Sequence, residues 1–133
     1  MLHMLDTDTV SYLIKGRSPA IEAKLASLIP SSVCISVITR AELQYGLKRL
    51  PAEHQLHLAV RQFLKIVRLL PWDADAADWY AEIRHQLVGS GQPIGEMDMM
   101  IAAHALASGA VLVTNNSRHF KRITAPLILD NWA

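Results

Sequence analysis

Short apolar runs alternate with helix-length segments along the whole chain, and this alternation limits the fold more than any other feature. Leu2 to Leu5, Val33 to Ser36, Val67 to Leu70, Ala110 to Val113 and Leu127 to Leu129 read as strands. Each is only a few residues long and nearly all apolar, as expected of strands buried on both faces. Helical patterns fill the intervals. Asp6-Thr7-Asp8-Thr9 supplies N-cap chemistry for a first helix that Gly16 stops. Ser18-Pro19 opens a second helix, to about Leu28. Leu43, Gly46, Leu47 and Leu50 give a third its apolar face, and a fourth is predicted over roughly Ala52 to Lys65. A fifth runs from Asp73 to Val88, a sixth from Glu96 to Gly109, and a short one lies over Asn115 to His119. Strands alternating with helices predict an α/β fold, a three-layer α/β/α arrangement around a short, mostly parallel sheet. At 133 residues, with no repeat or linker, the chain is expected to form one domain over residues 1–133.

Three carboxylates fall where strands end or helices begin: Asp6 after the first strand, Glu42 beyond the second, and Asp98 in Pro93-Ile94-Gly95-Glu96-Met97-Asp98. The crevice at strand ends is where open α/β sheets bind ligands. Acids gathered there repel one another and need a counter-charge, for which Mg²⁺ or Mn²⁺ is the best match to oxygen donors. Such a cation makes water acidic enough to attack phosphorus, so the pattern reads as a small metal-dependent phosphodiesterase.

Each acid also has a plain structural reading. Asp6 fits a helix N-cap, Glu42 a partner for a neighbouring cation, and Asp98 a cap for the apolar helix that follows. An aspartyl-phosphatase reading of Asp6-Thr7-Asp8 fails, because that chemistry needs a late acidic motif and the only acid after Asp98 is Asp130.

Charge and cysteine usage narrow the setting. The net charge of +1 gives no strong long-range pull on nucleic acid, so a nucleic-acid partner must be held by local basic groups and metal. The single cysteine, Cys34, cannot form an internal disulfide and fits a reducing, cytoplasmic location. Asp6 and Asp8 interrupt the first apolar stretch, so neither a signal peptide nor a membrane span is expected. The histidines show no shared metal-ligand spacing, and Trp72, Trp79 and Trp132 read as packing anchors.

Four segments in register carry a family resemblance. They are Met4-Leu5-Asp6-Thr7, Ile38 to Gly46 around Glu42, Gly91 to Leu106 around Asp98, and Val113-Thr114-Asn115-Asn116-Ser117-Arg118-His119-Phe120. Together with the Asp130-Asn131-Trp132 ending, they resemble the PIN-domain ribonucleases and, more closely, the VapC toxins of bacterial type II toxin–antitoxin pairs. The resemblance implies a PIN-like fold and a Mg²⁺-dependent endoribonuclease acting on RNA. It also implies a homodimer, inhibited by a VapB-type antitoxin whose C-terminal segment blocks the site.

Asp6, Glu42 and Asp98 match the family's metal-binding acids, while Thr7, Thr114, Asn116 and His119 fall among its supporting positions. Related toxins often carry a fourth acid where this chain has His119. Asp8 or Glu96 would be the replacements. A PIN-like binding module that has lost catalysis is the alternative. For the antitoxin, an apolar groove is expected on helices two to four, from Leu25, Leu28, Leu43 and Leu47.

Overall fold

The computed structural model describes residues 1–133. Five strands form one sheet: β1 (His3–Leu5), β2 (Val33–Ser36), β3 (Arg68–Leu70), β4 (Val111–Val113) and β5 (Leu129–Asp130). Their order is β3-β2-β1-β4-β5 and every pairing is parallel. The helices are α1 (Thr7–Ile14), α2 (Pro19–Ala26), α3 (Val37–Lys48), α4 (Leu56–Ile66), α5 (Ala74–Gly89), α6 (Glu96–Ser108) and α7 (Ser117–Phe120). Element boundaries differ from expectation by two residues at the end of α2, which stops at Ala26, and at the start of α7, at Ser117, and also at α4 and β5. Helix α4 starts at Leu56, because Pro51 to Gln55 form turns closed by the His54 ring accepting the Leu56 N–H at 3.1 Å. Strand β5 pairs through Leu129 and Asp130 rather than Leu127 and Ile128.

Side-chain alternation explains why the strands are apolar throughout. Successive residues face opposite sides of a sheet, so a strand covered twice needs apolar groups at every position. Met4, Cys34 and Leu112 point to one side, where Ile83 and Leu87 of α5 and Ile101, Ala102 and Ala105 of α6 complete a cluster of 14 buried residues. Leu5, Ile35 and Val113 point to the other, joining Val10, Ile21, Leu43 and Val60 from α1 to α4 in a cluster of 9. Cys34 is buried and free, and burial lifts its thiol to about 11, so it serves as a small apolar filler.

The connections set the functional edge. The α1–α2 and α3–α4 crossovers lie on one face of the sheet and α5–α6 on the other. The winding direction therefore reverses between β1 and β4, which opens a crevice at their C-terminal ends. A hydrogen bond ties the two faces together there. Nδ1 of His104, buried in α6, lies 2.7 Å from Oγ of Ser36, and that oxygen accepts the Ile38 N–H at the start of α3. No helix is long and apolar enough to cross a membrane.

Candidate active site

Asp6 is the first residue past β1 and only 2% exposed. Its Oδ1 accepts the Thr9 N–H at 2.9 Å, so the N-cap reading is correct for this oxygen. Capping does not neutralise it. Burial pushes the Asp6 carboxyl above its ordinary range and the charge of Asp8 adds to that, while hydrogen bonds from Thr114 and Thr9 pull the other way.

Asp98 lies in the first turn of α6, facing the same crevice. Its carboxyl is pushed up to about 6, first by burial and then by the charges of Asp6, Glu42 and Asp8, with only His119 opposing. Four carboxylates on three different elements therefore feel one another. Gly95 has φ −54°, and a Cβ there would meet Asp98 Oδ2 at 3.6 Å, an ordinary contact.

Glu42 has no cation partner. The single ion pair of the chain is Arg84–Glu96 at 3.5 Å, on the surface. Instead, Glu42 Oε1 accepts the Thr7 hydroxyl at 2.6 Å, and Thr39 Oγ1 stands 3.2 Å behind that hydroxyl. Thr7 is the first residue of α1, and Thr39 is one helical turn before Glu42 on α3. Two hydroxyls thus aim the carboxylate at the crevice without cancelling its charge.

The supporting positions divide. Thr114, fully buried at the end of β4, accepts the Asn116 N–H at 2.9 Å, and Asn116 Nδ2 donates to Asp8 Oδ2 at 2.9 Å. Asn116 therefore fixes Asp8 beside the other acids. His119 is exposed on α7, near enough to Asp98 to lower its pKa. Of the two replacements considered for a fourth acid, only Asp8 joins the group. Glu96 is engaged elsewhere, accepting the Tyr80 hydroxyl at 3.0 Å and facing Arg84. Asp130 also lies outside, with its carboxylate taken by the Asn131 N–H and the Trp132 indole.

Sequence reasoning gave too little weight to Asp8 and missed Thr39. The signal for Thr39 was its place one turn from Glu42 on the same helical face.

The donor set suits a hard cation. All four acidic groups offer oxygen, and burial first, then the charges of Asp6, Glu42 and Asp8, make the ionised Asp98 carboxylate costly without a nearby cation. No three His, Cys, Asp or Glu side chains form a group that could hold a metal ion by themselves. An ion that keeps several waters and takes one or two carboxylates does not require such a group.

Beside Glu42 a groove of about 300 Å³ runs between α1, α3 and α4, lined by Thr7, Ile14, Leu43, Leu47, Leu56 and Val60 among others. Helix α2 does not line it. Of the four leucines expected to form it, Leu43 and Leu47 line the groove, while the partly buried Leu25 and Leu28 only pack against the nine-residue core cluster.

Known proteins match this arrangement. The PIN domain family pattern covers residues 3–126. Ribonuclease VapC2 of Rickettsia felis is 38% identical over 133 residues, spanning 99% of this chain and 98% of that protein. The chain is a member of the PIN-domain VapC family. The tRNA(fMet)-specific endonuclease VapC of Salmonella typhimurium is 38% identical over 129 residues, 97% of this chain and 96% of that one. Among solved structures, VapBC2 from Rickettsia felis bound to a DNA fragment from their promoter has a matching chain. It superimposes with a TM-score of 0.91 at 36% identity over 100% of both chains. The all-parallel sheet between two helical layers is thus the PIN-like fold that the sequence led us to expect.

Proposed function

We propose that this chain is the toxin of a type II toxin–antitoxin pair, an endoribonuclease whose hydrolysis of RNA phosphodiester bonds depends on Mg²⁺, with Mn²⁺ as a substitute. One observation carries the reading: Asp6, Asp8, Glu42 and Asp98 share one crevice with no lysine or arginine paired to any of them. A structural role would have paired them, because uncompensated acids in a half-buried site cost stability. The VapC relatives named as ribonucleases support the same conclusion.

Asp6, Glu42 and Asp98 would hold the cation, with Asp8 in reserve. When bound, the ion supplies positive charge at the scissile phosphate and makes water acidic enough to attack at neutral pH. The protein's own groups set the geometry. Thr7 and Thr39 orient Glu42, Thr9 and Thr114 restrain Asp6, and Asn116 restrains Asp8. His119, exposed on α7, would donate a hydrogen bond to a phosphate.

The partner is a VapB-type antitoxin, as in the VapBC complexes this chain resembles. An amphipathic segment laid in the α1–α3–α4 groove reaches Glu42 at the groove's end, where a basic side chain would sit among the acids. The active unit is a homodimer of domains spanning residues 1–133.

The free protein should cleave RNA only with added Mg²⁺, and sequencing the RNA ends after brief induction would identify the target. Absence of cleavage across a Mg²⁺ and Mn²⁺ titration would favour a binding module without catalysis. Deleting the antitoxin's C-terminal half should abolish tight binding, and undiminished affinity would overturn the groove assignment.

A further inference from the structure

Beyond the acids, a second cleft of about 340 Å³ lies between α3 and α4 and is lined by Arg40, Gln44, His57, Arg61 and Lys65 over an apolar floor. Three permanent cations line it and no carboxylate does. None of the three has an acidic partner anywhere, because the only ion pair of the chain is Arg84–Glu96. His57 Nε2 is buried and has no hydrogen-bond partner. Like-charged side chains brought together around an unsatisfied polar atom cost stability unless something anionic enters.

We propose that this cleft is an anchoring site for an RNA phosphate, reached by the substrate strand after it crosses α3 from the acids. The inference rests on the ribonuclease reading. Helical geometry supports the path. At about 100° per residue, Arg40 and Gln44 lie on one side of α3, and Glu42 is about 160° from each around the axis. Between them on the solvent arc stand Tyr45, about 60° from Glu42, then Ala41 and Lys48. Tyr45 is 67% exposed, a cost in apolar surface that a stacked base would remove. A strand leaving the acids would therefore meet an aromatic ring, then the Lys48 ammonium, then the Arg40–Arg61–Lys65 cleft. Such an anchor reads phosphate rather than base, so it adds affinity and register without sequence choice.

Charge also decides the occupant. An antitoxin segment that puts a basic side chain among the acids lies in the adjoining groove, which shares Leu47 and Val60 with the cleft, and Arg40, Arg61 and Lys65 repel its basic groups. The cationic cleft is left for a polyanion.

The test compares wild type with Arg61→Gln/Lys65→Gln, both exposed positions, and with a triple variant adding Arg40→Gln. Binding of a fluorescently labelled tRNA is measured by anisotropy in EDTA at several salt concentrations, in an Asp98→Asn background so that no strand is cut. Affinity should fall about tenfold, and the dependence of log K on log salt should flatten by about 1 for each phosphate that the variant no longer neutralises. In the active background, KM for tRNA should rise with kcat unchanged. A dinucleotide has one phosphodiester, which the acids take, so its cleavage should be unaffected.

Unchanged affinity and salt dependence in the triple variant would overturn the proposal. So would loss of antitoxin binding with RNA binding intact, which would give the cleft to the antitoxin. If wild type binds RNA through the cleft yet never cuts it, the cleft stands and the nuclease reading falls.

Discussion

The two sides of α3 carry opposite charge. On one side Glu42 joins Asp6, Asp8 and Asp98 around a crevice without lysine or arginine. On the other, Arg40, Arg61 and Lys65 surround a cleft without carboxylates. A chain with 13 basic and 12 acidic side chains has enough of each to pair most of them, yet it forms a single surface ion pair. Surface pairs contribute little to stability, so folding alone has small reason to make them. Separation into two like-charged clusters is different, because it works against stability and is retained where ligands of opposite charge restore balance. The acidic side suits a cation, and the basic side suits an anion.

The sharpest way to break this contrast is to remove charge from the acidic side. Asp98→Asn or Asp6→Asn keeps the shape but weakens the cation's hold, and cleavage should fall by orders of magnitude. RNA binding in EDTA should hold or tighten, since a repelling charge is gone. Near-wild-type cleavage by purified Asp98→Asn would remove the acid assignment.

A smaller effect is expected from Thr7→Val, which deletes the 2.6 Å hydrogen bond to Glu42 and leaves the charge in place. A hydrogen bond to a charged group is worth about 1.5–3 kcal/mol, so cleavage should drop about tenfold or more while RNA affinity is unchanged. Full activity would mean that Glu42 needs no orientation.

Repulsion on the acidic side also makes a statement about stability. The Asp98 carboxyl, at about 6, binds its proton more tightly in the folded protein than in the unfolded chain. The associated stabilisation is complete below the ordinary carboxylate range and is lost as pH rises through about 6. Metal-free wild type should therefore lose thermal stability over that interval relative to Asp98→Asn, and added Mg²⁺ should restore it at the upper end. Parallel melting curves for the two proteins from pH 4 to 7 would show that Asp98 is not the group responsible.

The smallest change is predicted for His119→Glu. It replaces the one group that lowers the Asp98 pKa with a fifth acid. Apparent Mg²⁺ affinity and cleavage at low Mg²⁺ should rise several-fold, with no gain at saturation. A flat response across the titration would place residue 119 outside the cation's reach.

The elements were legible because each rule acts locally. Strands covered on both faces must be apolar at every position, and Val33-Cys34-Ile35 and Val111-Leu112-Val113 are. Caps such as Asp6 and Ser18 announced their helices and were observed in place. Local rules failed where a turn competed with a helix. Pro51 to Gln55 contain helix-compatible residues, yet the His54 ring captures the Leu56 N–H and holds the segment in turns.

The sequence by itself determined the layered parallel fold, through strand length and apolar continuity, and named Asp6, Glu42 and Asp98 as the acids at its strand ends. Tertiary structure alone decided which other groups join them. Asp8 and Glu96 look alike in sequence, each two residues from a predicted ligand. Helix α7 brings Asn116 to Asp8 across 108 positions of chain, whereas α5 brings Tyr80 and Arg84 to Glu96. The cationic cleft depends equally on how α4 lies against α3, because Arg61 and Lys65 are exposed on one helix and meet Arg40 only through packing. Charge–charge energies depend on distance and on the surrounding medium, and the folded chain sets both.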